Sequence, residues 1–143
     1  MLKIVLAGAP RGKERVRFVK ATGRTFTPER TVNYESRLAL AAQQAMNGRP
    51  LFEGPLEVRV TAYMQIATSW PKKRKAAALA GTERPTVKPD LDNFAKILDA
   101  CNLVVWGDDA QIVEMAVAKH YSDQPRMEIE VRQINRQEED VFG

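Results

Sequence analysis

The sequence predicts a single small α+β domain, with helices packed on a mixed β-sheet. The chain has 143 residues, of which 44% are hydrophobic and 28% charged, so it can bury one modest core. Its predicted elements follow in the order ββ(β)αβααβββ, without the strict alternation of a doubly wound fold. No repeat, low-complexity tract or linker divides it. We therefore place the domain at residues 1–135 and a polar tail, expected to be disordered, at residues 136–143.

The strands are predicted from apolar runs and alternation. Residues 2–7 form a first strand, and RVRFVK and RTF flank the turn-like ATGR as a basic hairpin. Residues 56–66 alternate strictly between apolar and polar side chains, which indicates a strand with one buried face. LVVW predicts a short buried strand, and IVEMAVAKHY and RMEIEVRQI predict a terminal hairpin around SDQP.

Three helices are predicted from caps and periodicity. The first follows Thr27 as N-cap, with Pro28 in its first turn. SWPKKRKAAALAG predicts a short helix that Ser69 caps and Gly81 ends. The third follows Asp90. The apolar faces comprise Tyr34, Leu38, Ala41, Ala42 and Ala45 in the first helix and Leu91, Phe94, Ala95, Leu98 and Cys101 in the third.

The charge pattern favours a polyanionic partner. The formal net charge is +4, and the last seven residues carry three acids and no base, so the rest of the chain carries +7. Two clusters supply most of this charge: Arg11, Lys13, Arg15, Arg17, Lys20 and Arg24 in the first, and Lys72, Lys73, Arg74 and Lys75 in the second. The alternative for either cluster alone is a solvated, solubilising face. Phe18 and Trp70 lie near these charges, where they could stack on bases, but we expect both in the core.

Other sequence features indicate the expected cellular environment and the ligands that are not expected. Cys101 is the one cysteine, so no intrachain disulfide can form, and we expect a buried thiol in a reducing cytoplasm. No apolar run approaches the roughly 20 residues that span a bilayer, so no membrane association is expected. No glycine-rich strand–turn–helix indicates a nucleotide cofactor. The lone His120 is expected to be a strand residue and not a ligand.

Aspartates are concentrated in KPDLDNFAKILDA and WGDDAQIV. Asp90 and Asp92 alone could be a helix cap and a first-turn acid, and the GDD sequence could be only a turn. Lys96 could form an ordinary surface ion pair with Asp92, worth roughly half a kcal/mol. A return of the chain after the helix would instead bring these carboxylates together. Convergent carboxylates without His or Cys ligands favour Mg²⁺, and a nearby lysine can stabilise the charge that develops during phosphoryl transfer.

At these residues the sequence resembles the RusA family of Holliday junction resolvases. KPDLDNFAKILDA resembles the start of the family's acidic helix, and VVWGDDAQIVEM resembles its second acidic block. GAPRGKERVRFVKATGRTFTPERTVNYESRL resembles the basic segment and following helix of the phage-type members. The basic SWPKKRKAAALAG segment and the acidic tail depart from the family pattern.

The resemblance implies a RusA-like fold and a set of site residues. It places the catalytic, metal-binding aspartates at Asp90, Asp92 and Asp109 and the essential lysine at Lys96. The neighbouring Asp108 stays open as the third ligand, and Asp99 is expected to support Lys96.

The resemblance also implies an activity. The family is a homodimeric endodeoxyribonuclease of bacteria and their phages or prophages, which acts in DNA recombination and repair. It nicks four-way and branched DNA symmetrically, using Mg²⁺ with Mn²⁺ as a substitute. The alternative is a non-catalytic nucleic-acid-binding module in which the aspartates only cap helices.

Overall fold

The computed structural model describes residues 1–134, and the predicted tail at residues 136–143 lies outside the described residues. The α+β class is confirmed: one small domain combines a four-stranded mixed sheet, a separate two-stranded hairpin and three α-helices. The elements are β1 (Leu2–Ala7), β2 (Arg17–Val19), β3 (Arg24–Phe26), α1 (Glu29–Met46), β4 (Leu56–Gln65), α2 (Lys72–Ala80), α3 (Leu91–Lys96), β5 (Ile112–Ser122) and β6 (Arg126–Gln133). Two 3-10 turns, Ile97–Cys101 and Asp109–Gln111, follow α3 and precede β5.

The sheet has the strand order β1-β6-β4-β5, so the predicted terminal hairpin is wrong. β6 pairs antiparallel with β1 and β4, and β5 pairs parallel with β4. Neighbouring strands lie only about 4.8 Å apart, so the short connection between β5 and β6 can cross the end of β4. Inserting β4 places its fully buried Val58, Val60 and Ala62 at the centre of the core face.

The predicted LVVW strand is also wrong, because this segment forms a turn. Leu103 is 77% exposed and has a left-handed φ of 64°. Its amide donates to the Trp106 carbonyl at 2.7 Å, and the Trp106 indole donates to the Asn102 side chain at 2.7 Å. Val105 and Trp106 are fully buried. The apolar residues therefore belong to the core, but the polar anchor at Asn102 closes the chain into a turn.

The helix starts differ from the predicted caps. Pro28, not Thr27, occupies the N-cap of α1, and Pro71, not Ser69, occupies that of α2; neither helix has a side-chain cap hydrogen bond. The prolines fix an extended backbone just before each helix. Gly81 ends α2 in the left-handed conformation, as expected. In the third helix the predicted apolar stripe continues through the 3-10 turn to the buried Cys101, whereas Leu91 is 43% exposed.

The core lies between the sheet and the helices α1 and α3. Tyr34, Leu38, Ala42 and Met46 form the buried face of α1, close to the predicted set. Cys101 is fully buried, as expected, and this burial raises the pKa of its thiol to about 12. In residues 1–134, no helix has the length and apolar character needed to cross a membrane.

The packing of α1 predicts a large stability difference between two of its leucines. Leu38 is fully buried, so Leu38→Ala should lower the free energy of unfolding by about 2–5 kcal/mol in urea titrations. Leu40 on the same helix is 55% exposed, and Leu40→Ala should change it by no more than about 0.5 kcal/mol. Equal losses in the two variants would contradict this packing.

Candidate active site

The basic segment after β1 lies directly against the start of α3. A Cβ atom at Gly12 would come within 2.8 Å of the Pro89 Cβ and 2.9 Å of the Asn93 Cβ, so only glycine allows this approach. The next amide, that of Lys13, donates to the Asn93 carbonyl at 2.9 Å. The segment that the sequence assigned to a nucleic-acid surface is thus fastened to the acidic helix.

Asp90 and Asp92 lie at the exposed N-terminal end of α3. Asp90 occupies the N-cap, but its side chain makes no cap hydrogen bond. Asp92 lies 3.5 Å from the Lys96 ammonium, with side chains that are 69% and 62% exposed. The capping alternative for Asp90 therefore lacks the side-chain hydrogen bond that it predicts.

Lys13 connects the basic segment to the far end of the acidic face. Its ammonium donates to Asp99 at 3.0 Å and lies 3.7 Å from Glu35 of α1. The hydrogen bond to Asp99 is the main cause that raises the pKa of Lys13 above its ordinary value of 10.5, so the lysine stays charged. Asp99, expected to support Lys96, makes its hydrogen bond to Lys13 instead.

The turn that carries Asp108 and Asp109 is fixed by two side chains. Asp108 accepts from the Ala110 amide at 3.0 Å, and the Gln111 side chain accepts from the Gly107 and Asp108 amides at 3.0 and 3.2 Å. The Gln111 amide group donates in turn to the carbonyls of Phe52 and Gly54 at 2.9 and 3.1 Å. Asp108 therefore caps the 3-10 turn Asp109–Gln111, with its Oδ1 accepting from the backbone.

Asp109 is crowded by other carboxyl groups. Hydrogen bonding with Asp108, and then with Asp99, raises the pKa of Asp109 above its ordinary value of 3.8, because nearby negative charge favours its protonated form. The Ala110 amide lowers the pKa of Asp108. The chain return after α3 thus brings Asp109 to the acidic face, and a bound cation would relieve the resulting repulsion.

The predicted ligands are only partly assembled. Asp108 and Asp99 raise the pKa of Asp109, and the Asp92 carboxylate lies 3.5 Å from the Lys96 ammonium. Within the described part of the chain, no three acidic, histidine or cysteine side chains are close enough together to hold a metal ion. The donors nevertheless fit a hard divalent cation, because all are carboxylates and Asp109 lies in excess negative charge.

Sequence patterns missed the residues that fix these segments. The Lys119 ammonium, on β5, donates to the carbonyls of Val87 and Pro89 at 2.7 and 3.1 Å. Arg84 donates to the Lys119 carbonyl through two nitrogens, at 2.8 and 2.6 Å. These bonds hold the loop that leads into Asp90. Gln111 could have been found from the sequence, because it lies in the acidic block WGDDAQIV. Lys119 could not have been found, because its hydrogen-bond partners are backbone atoms that are distant in sequence. His120 lies in β5, as expected.

The second basic cluster contains both engaged and exposed cations. Arg74 hydrogen-bonds Glu83 at 3.0 Å and stacks 3.5 Å from the Trp70 ring, whereas Lys72 and Lys73 are exposed. Trp70 is half-buried against Tyr121.

The first cluster borders a cleft of about 400 Å³ beside the start of α3. Its walls include Lys13, Arg15, Arg17, Lys88, Pro89 and Asn93. The cations of the first cluster and the start of the acidic helix therefore border the same cleft.

Comparison with known proteins shows similarity to a family model and to a bacterial protein. The family model described as Endodeoxyribonuclease RusA matches residues 7–132. A protein of Bacillus subtilis (strain 168), named uncharacterized protein YqaN, is 34% identical over 141 residues, which cover 94% of this chain and 97% of that protein.

The two neighbouring aspartates should affect stability in opposite ways. Asp108→Ala should lower Tm at pH 7, because the cap is lost. Since the pKa of Asp108 is lowered on folding, the difference should shrink once the pH falls below about 3.9 and through the lower folded pKa. Asp109→Asn should leave Tm unchanged or raise it at pH 7, since it removes a repelled charge. A lower Tm for Asp109→Asn than for Asp108→Ala would contradict the assignment.

Proposed function

The chain belongs to the RusA family of endodeoxyribonucleases, and we propose from this premise that it resolves four-way DNA junctions by metal-dependent phosphodiester hydrolysis. Family membership makes the chain a nuclease; the choice of junctions and the metal chemistry are the proposal. The observation that carries it is the carboxylate face along α3, to which the chain return adds Asp109 and beside which the cationic cleft opens.

The proposed ligands are Asp90, Asp92 and Asp109, with Mg²⁺ as the cation and Mn²⁺ as a substitute. Asp109 is preferred to Asp108 because the Asp108 carboxylate already accepts from the Ala110 amide. Asp90 is available because it makes no cap hydrogen bond. A cation held there would neutralise charge on the scissile phosphate and lower the pKa of an attacking water. Asp109 must approach Asp90 and Asp92 more closely for all three to bind one ion.

Lys96 is proposed to stabilise the charge that builds up on the phosphate. It lies one turn after Asp92 and 3.5 Å from its carboxylate, so its ammonium is kept at the acidic face. An exposed Lys96 side chain can turn from Asp92 to a phosphate oxygen once a cation takes over the carboxylate. Lys13 offsets the charge of Asp99 and leaves Asp109 as the crowded acid.

The substrate and assembly follow from the same premise. The proposed partner is four-way and branched DNA, bound through the two basic clusters by a homodimer in the bacterial cytoplasm. A two-fold junction presents two equivalent scissile phosphates, which two equivalent sites can cut symmetrically. The proposed role is in DNA recombination and repair, and the proposed source is a bacterial, phage or prophage genome.

Removing one proposed ligand should separate binding from cleavage. Asp92→Asn should abolish Mg²⁺-dependent nicking of a synthetic four-way junction, while junction affinity measured in EDTA stays equal or rises, because an anion near the phosphate is lost. Denaturing gels of strand-labelled junctions give the nicking rate and show whether opposed strands are cut.

The matched control is Asp123→Asn, which makes the same charge change at an exposed position in the β5–β6 connection and should cut at the wild-type rate. Undiminished cleavage by Asp92→Asn would refute the metal assignment. Binding by the wild type without any cleavage of junction or duplex in Mg²⁺ or Mn²⁺ would refute the nuclease proposal and favour the non-catalytic module.

The exposed lysines of the second cluster, Lys72 and Lys73, should contribute to the salt dependence of binding. Each phosphate contact adds about 0.9 to the magnitude of the slope of log affinity against log salt on duplex DNA. The double variant Lys72→Gln/Lys73→Gln should therefore lower the magnitude of the slope by up to about 1.8 on junction arms. Arg74→Gln should lower it less, because Glu83 already pairs with Arg74. An unchanged slope in the double variant would remove this cluster from the interface.

A further inference from the structure

The β2–β3 hairpin stands apart from the rest of the domain. Its strands have three residues each and pair only with one another in the described structure. Two-stranded ribbons of this size have little stability of their own, and they gain it by covering apolar side chains against a core. This hairpin does not do so: Phe18 is 62% exposed and Phe26 is 47% exposed. The expectation that Phe18 lies in the core is therefore wrong.

The charges around these rings indicate what kind of partner covers them. Between residues 15 and 26 the chain carries four cations, Arg15, Arg17, Lys20 and Arg24, and no acid. Arg17 lies 3.8 Å from Glu14, but Arg15, Lys20 and Arg24 form no ion pair among residues 1–134. Exposed aromatic rings between unpaired cations are the composition of surfaces that stack on nucleic-acid bases and contact phosphates. A protein partner would need a strongly acidic surface to match them.

The pairing register of β2 and β3 places the rings of Phe18 and Phe26 on different faces of the hairpin. Phe18 lies opposite Thr25, whereas Phe26 lies opposite Arg17 and shares its face with the pair Val19 and Arg24. Cross-strand partners project to the same face of a ribbon, so Phe18 and Phe26 are on opposite faces. Phe18 is the more exposed ring, and Thr25 is its small cross-strand neighbour.

The base of the hairpin is next to the candidate active site. Arg15 and Arg17 line the same cleft as Pro89 and Asn93, the residues that flank Asp90 and Asp92. DNA bound at the acidic helix therefore meets the hairpin. In a continuous duplex the bases are stacked on each other and offer no face to a ring, but at a branch point the terminal base pairs of the arms are exposed.

We propose that the β2–β3 hairpin recognises the branch point by stacking Phe18 on an exposed base, with its cations on the flanking phosphates. The inference rests on the proposed function, since it needs DNA as the substrate. It goes further by assigning selectivity for branched over linear DNA to one side chain. Loss of one stacked base corresponds to about 5- to 150-fold in affinity.

The test compares Phe18→Ala, Phe18→Trp and Leu40→Ala in EDTA. Anisotropy with a labelled junction and a duplex of the same sequence gives the two dissociation constants. A junction with 2-aminopurine at the branch point reports stacking through its fluorescence. Phe18→Ala should weaken junction binding about 5- to 150-fold, leave duplex binding within about 2-fold, and abolish the fluorescence change.

Two further variants keep the result interpretable. Phe18→Trp should restore both junction affinity and the fluorescence change, because it also offers a flat ring. Leu40→Ala removes an equally exposed apolar side chain from α1 and should behave as wild type. If the wild type cleaves junctions, the inference is overturned by either of two results for Phe18→Ala. One is an unchanged preference for the junction over the duplex, and the other is an equal loss of affinity for both. Failure of the wild type to bind or cut junctions would instead overturn the proposed function.

Discussion

Repulsion among the carboxylates of the α3 segment and the following turn is the constraint on which the rest of this structure depends. Asp92 is balanced by Lys96 and Asp99 by Lys13, whereas Asp109 pairs with no cation among residues 1–134. Lys13 can serve this purpose only because Gly12 allows the backbone to approach Pro89 and Asn93. The basic segment therefore has a structural task in the acidic site besides any contact with DNA.

The sheet supplies the anchors that hold these charges in place. β5 lies at the edge of the sheet beside β4, and the segments before and along it reach both ends of the acidic region. Lys119 binds the carbonyls before Asp90, and Gln111 binds the backbone around Asp108 and Asp109. Acids that are far apart in sequence are thus anchored by β5 and by the turn directly before it.

The surface carries some cations and aromatic rings that are held by contacts within the domain and others that are exposed to solvent. Arg74 is held by Glu83 and Trp70, while Lys72, Lys73 and the hairpin cations remain exposed. The hairpin also leaves Phe18 in solvent, although its burial would have stabilised the domain. An exposed side chain of this kind favours binding over stability. Phe18 directly follows Arg17, which lines the cleft beside the acidic helix.

The sequence by itself determined the α+β class, the long alternating strand and the exposed acidic face of the third helix, because periodicity is local. The candidate ligands came from the family resemblance and stay a proposal. The sequence did not determine that β4 separates β5 from β6, since a strand's pattern specifies its buried face and not its neighbour. It also failed at residues 103–106, where apolar composition fits a buried turn as well as a strand. Only the tertiary structure decided that Asp108 caps while Asp109 is crowded, and that Lys13 reaches Asp99, because these contacts join segments that no local pattern relates.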